Sequence, residues 1–286
     1  MPRSCRGARW MNRGLQSAIA LGIAWYCAVA FAGDPGKPAI TAIYPSGDVV
    51  PANHLKFYIH FSEPMRQGVF LQHCALLDAR RQPVLDPFRE TELWSEDRKR
   101  LTLWLHPGRQ KTGVNLNEEF GPVLRANGSY TLVISGKWPS ENGVPLGADF
   151  AKTFRATERA TAQLDASTWQ LKPAPIGSTA PLEVRFPAPL DRALLQRCIR
   201  VAGPDGQPVS GTITIAQHER QWSFTPNTPW RATDCHLLAD SILEDLAGNS
   251  LTRPFEVDLR AAAPKRVPSV VDVPFRPAAP VRETLI

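Results

Sequence analysis

"LKFYIHFSEPM", residues 55–65, decides how the chain is read. Leu55, Phe57, Ile59 and Phe61 fall on one side, Lys56, Tyr58 and His60 on the other, and Ser62-Glu63-Pro64 then breaks the run. Period-two alternation over a short run ended by proline is the pattern of a half-buried antiparallel strand. A second stretch, "LEVRFPAPL" (182–190), repeats it: Leu182, Val184 and Phe186 alternate with Glu183 and Arg185 before Pro187.

The echoes continue outward from these two stretches. "HCALLDARRQPV" (73–84) is answered by "RCIRVAGPDGQPV" (197–209), and "LTLWLHPG" (101–108) by "QWSFTPN" (221–227). "NGSYTLVIS" (127–135) is answered by "TDCHLLADS" (233–241), and "ENGVPLG" (141–147) by "LAGNSLT" (246–252). Phe61 thus matches Phe186, Cys74 matches Cys198, Pro107 matches Pro226, Tyr130 matches Cys235 and Gly143 matches Gly248. The order is shared and the spacings nearly so, which marks an internal duplication with a unit of roughly 100 residues. Several short strands per unit, punctuated by turn residues, lead to an all-β class: two tandem immunoglobulin-like β-sandwich domains. The expected boundaries are 38–157 and 165–260, joined by "ERATAQLD" (158–165) and followed by a Pro/Ala-rich tail (261–286) expected to be flexible. The stretch "DRALLQR" (191–197) is expected to form one helical turn.

The motifs resemble those of bacterial Ig-like domains of the S-layer type (the SbsA-type Ig-like domain). The residues that carry the resemblance are Phe61-Ser62-Glu63-Pro64-Met65, "FTPNTPW" (224–230) and Asp245-Leu246-Ala247-Gly248-Asn249-Ser250-Leu251. The second unit departs at its opening motif, Phe186-Pro187-Ala188-Pro189-Leu190, and the first at its closing one, Ser140-Glu141-Asn142-Gly143. The first unit also carries an insertion, "GRQKTGVNLNEEFGP" (108–122). The resemblance implies a fold and a cell-envelope or extracellular setting, and it implies no chemistry.

Compartment is read from the start of the chain. Residues 1–32 hold four arginines and no acid, then the apolar run "LQSAIALGIAWYCAVAFA" ending in Ala30-Phe31-Ala32. This describes a secretory signal peptide starting at Met1 or Met11, with cleavage before Gly33 and a periplasmic or extracellular destination. The whole chain carries 33 Lys+Arg against 27 Asp+Glu, a net +6. Without those four arginines the excess is +2, so the basic isoelectric point is no argument for nucleic-acid binding.

Removing the signal also leaves three cysteines, Cys74, Cys198 and Cys235. Cys198 and Cys235 share a unit in an oxidising compartment and form a candidate disulfide. No CxxC spacing or HExxH motif is present, so no metal site or cofactor is expected. Nucleophile elbows and phosphate loops are missing as well. His60 and His106 lie on the same side of alternating runs and could meet across strands. The acidic group Glu90, Glu92, Glu96 and Asp97 reads as a solvated hairpin tip because basic residues are mixed into it.

The expectation is a non-catalytic structural or interaction module whose partner is unnamed, an envelope protein or polysaccharide. A second reading is a module binding cell-surface glycan through exposed aromatics, with Trp104 and Tyr58 as contact candidates. "LEDLAGNSL" (243–251) reads as a turn: Gly248-Asn249 supplies positive φ, Asp245 satisfies backbone N–H groups, and Leu243 and Leu251 anchor the flanks.

Overall fold

A computed structural model describes residues 36–113, 115–256 and 268–279, all within one compact unit spanning Ala32–Ile286. The expected signal peptide and the two alternative start sites lie outside the described residues.

Strands dominate. The first repeat contains β1 (Ile40–Tyr44), β2 (Val49–Pro51), β3 (Lys56–Phe61), β4 (Cys74–Leu77), β5 (Leu93–Trp94), β6 (Arg100–Trp104), β7 (Ser129–Ile134) and β8 (Phe150–Thr157). The second contains β9 (Gln170–Lys172), β10 (Leu182–Arg185), β11 (Ile199–Ala202), β12 (Gly211–Ala216), β13 (Gln221–Pro226), β14 (Cys235–Asp240) and β15 (Val270–Phe275). Among the described residues four short α-helices interrupt them: α1 (Phe70–His73), α2 (Pro107–Gln110), α3 (Asn115–Phe120) and α4 (Arg192–Arg197).

The duplication extends to the sheets. One sheet of the first repeat runs β1-β3-β6-β5, and its counterpart runs β9-β10-β13-β12. The other runs β4-β7-β8-β2, matched by β11-β14-β15. β2 joins β8 in parallel, with Pro51 opposite Thr157. In the second repeat a parallel bridge from Pro175 to Ala278 takes that place. Alternation decides what is buried: Phe57, Ile59, Leu101, Leu103, Leu132, Ile134 and Phe154 form one core cluster. Leu182, Val184, Trp222, Phe224, Ile199, Val201, Leu237 and Ala239 form a second. Each draws on both sheets of its own repeat, as inward side chains of period two must.

Two expectations are corrected. The stretch read as a flexible tail contributes β15, which pairs with β14 from Cys235↔Phe275 to Asp240↔Val270. Pro274 hid it, since proline argues against a paired strand. The register removes the objection. Ser241 N–H donates to Ser269 O, so the bonded positions along β15 are odd-numbered, and Pro274 falls where an N–H would face away from β14. The second repeat therefore runs past residue 260 to Ala278.

The candidate disulfide is also absent: Cys198 and Cys235 are both free and buried. Asp240 N–H donates to Cys198 O, so Cys198 lies level with Asp240. Cys235 is five residues further along β14, about 17 Å at ~3.4 Å per residue. That is far beyond the ~7 Å a disulfide can span.

Candidate functional site

Polar side chains converge where the two repeats meet, with the "LEDLAGNSL" corner among them. Asp245 carboxylate accepts the N–H groups of Ala247 (2.8 Å) and Asn249 (2.9 Å) and the Asn249 side-chain amide (2.8 Å), which closes the corner as a turn. Leu243 and Leu251 anchor it in the second core. Leu246, however, enters the first repeat's core. Its carbonyl accepts Leu55 N–H (3.1 Å) and lies 3.2 Å from His54 Nδ1. Gly248 has φ +82, and a Cβ there would stand 2.6 Å from Leu55 Cδ1. Only glycine fits both the left-handed backbone and that approach. Asn249 donates to Ala160 O (3.0 Å), which also accepts from Asn53 (2.8 Å), so the linker is clamped from both sides.

Beside the corner, alternation on β3 sends Lys56 and Tyr58 toward the second repeat. Tyr58 hydroxyl donates to Asp191 (2.8 Å to Oδ2), and Lys56 Nζ lies 2.9 Å from the same oxygen and 3.5 Å from Glu244. Asp191 also caps α4 by accepting Leu194 N–H at 3.0 Å, so one buried carboxylate serves three partners. Arg192 guanidinium stacks on the Tyr44 ring at 4.4 Å. A second strut comes from the β12–β13 turn, where Glu219 carboxylate accepts Ser46 N–H (2.9 Å).

Burial sets the protonation states here. It pushes His54 down to about 3, which keeps the imidazole neutral. It raises Tyr58, with Asp191 adding to the effect, and raises the Glu244 carboxyl against the pull of Lys56. The enclosed space among His54, Lys56, Tyr58, Asp191 and Leu246 is only about 10 Å³, room for roughly one water. The arrangement joins the two repeats, and the space within this cluster has no room for a substrate.

The other candidate residues fall as follows. Tyr58, expected as an exposed glycan contact, is buried in the joint. Its hydroxyl found a carboxylate partner that only the other repeat could supply. Trp104 is half-buried, with Lys56 Nζ 4.9 Å above its ring. His60 and His106 do not meet: His60 pairs with Arg100, whereas His106 lies beyond the Lys56↔Trp104 pair at the far end of the same strands. Glu92 proves to be an anchor, accepting N–H groups from Gly68 (2.7 Å), Val69 and Phe70 and the indole of Trp94 (2.9 Å). Among the described residues no group of three His, Cys, Asp or Glu side chains could hold a metal ion. None of their helices is long and apolar enough to cross a membrane.

No family model and no curated protein matches the sequence. Among solved structures the chain is similar to domains 1-6 of the surface layer protein SbsC. The identity is 10%, the match covers 85% of this chain and 26% of that one, and the TM-score is 0.32. It is also similar to the N-terminal part of the bacterial S-layer protein SbsC (10%, 85% and 44%, TM-score 0.31). A third is alpha-2-macroglobulin from Escherichia coli spanning domains MG0-NIE-MG1 (12%, 72% and 67%, TM-score 0.29). This chain thus spans about a quarter of the first of these.

Proposed function

We propose that the chain is an exported, non-catalytic structural or interaction module of the bacterial cell envelope, made of two immunoglobulin-like sandwiches held in fixed relation. The joint carries this reading. A flexible pair of domains needs only a linker, whereas here a buried Lys56–Asp191–Tyr58 cluster, Leu246 and Asn249 tie each repeat to the other. Moving the repeats apart would leave the Asp191 carboxylate unpaired and expose Leu246, which opposes relative motion. The basic and then apolar start of the chain supports export. Unpaired aromatics for sugar stacking are not what the joint provides, since Tyr58 is consumed by it.

Small-angle X-ray scattering of the purified chain tests the rigidity. One fixed particle shape should account for the whole profile, and a profile that requires a spread of inter-repeat angles sinks the reading. Cell fractionation tests the setting: the shortened chain is expected outside the cytoplasm, and an unprocessed cytoplasmic chain is the contrary result.

A further inference from the structure

The outer face of the β9-β10-β13 layer holds a feature the joint does not use. Arg185 pairs with Gln170 on one side and Gln221 on the other, so three polar side chains stand abreast on adjacent strands. Their chain neighbours Leu171, Val184 and Trp222 pack in the core, so this row points outward. Over it opens a concavity of about 350 Å³, bordered further by Thr168, Gln217 and Arg220 and backed by Phe186 and Pro187.

Its chemistry is one-sided: two guanidinium groups, three carboxamides, one hydroxyl and no carboxylate. The next row along the face is internally neutralised, Lys172 lying 3.6 Å from Glu183. Among the described residues no acid pairs with Arg185 or Arg220. Arg220 spends one N–H on Pro187 O (2.7 Å), which orients its guanidinium beside the row.

The backbone at the rim is unusual. Gln217, His218 and Glu219 all have positive φ (53, 55 and 62), a left-handed run that side chains bearing a Cβ disfavour. It is held because Glu219 is fixed at both ends, its carbonyl accepting Leu190 N–H and its carboxylate accepting Ser46 N–H. With His218 and Glu219 turned to the first repeat, Gln217 and Arg220 are left on the cavity side.

We propose that this concavity is a subsite for a carboxylate-bearing sugar of an acidic extracellular polysaccharide. A planar carboxylate matches a guanidinium fork, and amide and hydroxyl groups at strand spacing match ring hydroxyls. The proposal goes beyond the mechanical role and is tested on the purified chain, so its failure leaves the rigidity and export readings standing. Binding of trigalacturonate is measured by calorimetry against neutral dextran, with inorganic phosphate as competitor. Trigalacturonate is expected to bind and dextran not. Arg185→Gln should weaken binding at least tenfold with an unchanged melting temperature, since Arg185 makes no ion pair within the fold. Arg185→Lys, which keeps the charge and loses the fork, should fall between. Equal binding of dextran, no binding of trigalacturonate, or wild-type affinity in Arg185→Gln would overturn the assignment. So would complete displacement by inorganic phosphate, which would instead mark a phosphoryl site.

Discussion

The two closing corners share one turn and do different things. In the first repeat Ser140 bridges Met65, and Pro139 bridges Pro145. In the second Asp245 bridges Leu190, and Glu244 bridges Ser250. Gly143 and Gly248 share one backbone conformation, with φ +83 and +82. Yet Glu141 and Val144 stand in solvent, whereas their counterparts Leu246 and Asn249 are buried against the other repeat; Ser140 and Asp245 are buried alike. A duplicated corner is free to diverge once its turn geometry is satisfied by glycine alone. The copy that faces a neighbour carries the apolar residue, Leu246, and the amide, Asn249, that reach across the joint.

The sharpest way to break this asymmetry is at the position after each opening motif. Arg66 N–H donates to Pro139 O just as Asp191 N–H donates to Glu244 O, but Arg66 is exposed and Asp191 buried. Asp191→Ala strands Tyr58, leaves Lys56 only its longer contact with Glu244 and uncaps α4, and should cost about 3–5 kcal/mol in urea unfolding. Arg66→Ala should stay within about 0.5 kcal/mol. Gly248→Ala places a Cβ against Leu55 and should cost about 2–3 kcal/mol, from overpacking together with left-handed strain. At Gly143 a Cβ meets nothing within 4 Å, so Gly143→Ala should cost only the strain, about 1 kcal/mol.

The pH response belongs to the joint as well. The folded pKa of His54 is depressed, from 6.5 to about 3. Its neutral burial therefore supports the fold fully above pH 6.5, and that support is lost as pH falls from there toward 3. Glu244, raised by burial, works in the opposite sense, its repulsive burial being relieved as it protonates. His54→Gln should flatten the acid limb of a melting temperature against pH plot; an unchanged slope would place the acid sensitivity elsewhere. A small effect is also expected at the exposed corner, where Arg98 pairs with Glu141 at the surface. Glu141→Gln should change stability by less than about 1 kcal/mol.

Much of this was legible beforehand. Alternation at 55–61 and 182–186, together with matched glycines and prolines, exposed the strands and the duplication, because side-chain period and turn chemistry are local properties. Asp245 and Gly248 were readable as turn residues for the same reason. Leu246 and Asn249 read only as parts of that turn, since a core contributed by another repeat leaves no mark on neighbouring residues. Tyr58 looked exposed because its strand placed it opposite the aliphatic stripe. Glu92 looked solvated because its partners at Gly68–Phe70 lie more than twenty residues away. β15 was missed because one proline interrupts a pattern that the ladder tolerates at that position.

Strand periodicity and turns follow from interactions within a few residues and could be read along the chain, as could the repetition of motifs and the basic and then apolar start. Only the tertiary structure decided that Asp191, Leu246 and Asn249 weld the repeats together and that Cys198 and Cys235 stay apart. It also decided that Arg185 stands between two glutamines. Those facts depend on register and on which surface meets which, quantities fixed by burial between residues that lie far beyond one another's local turn or strand.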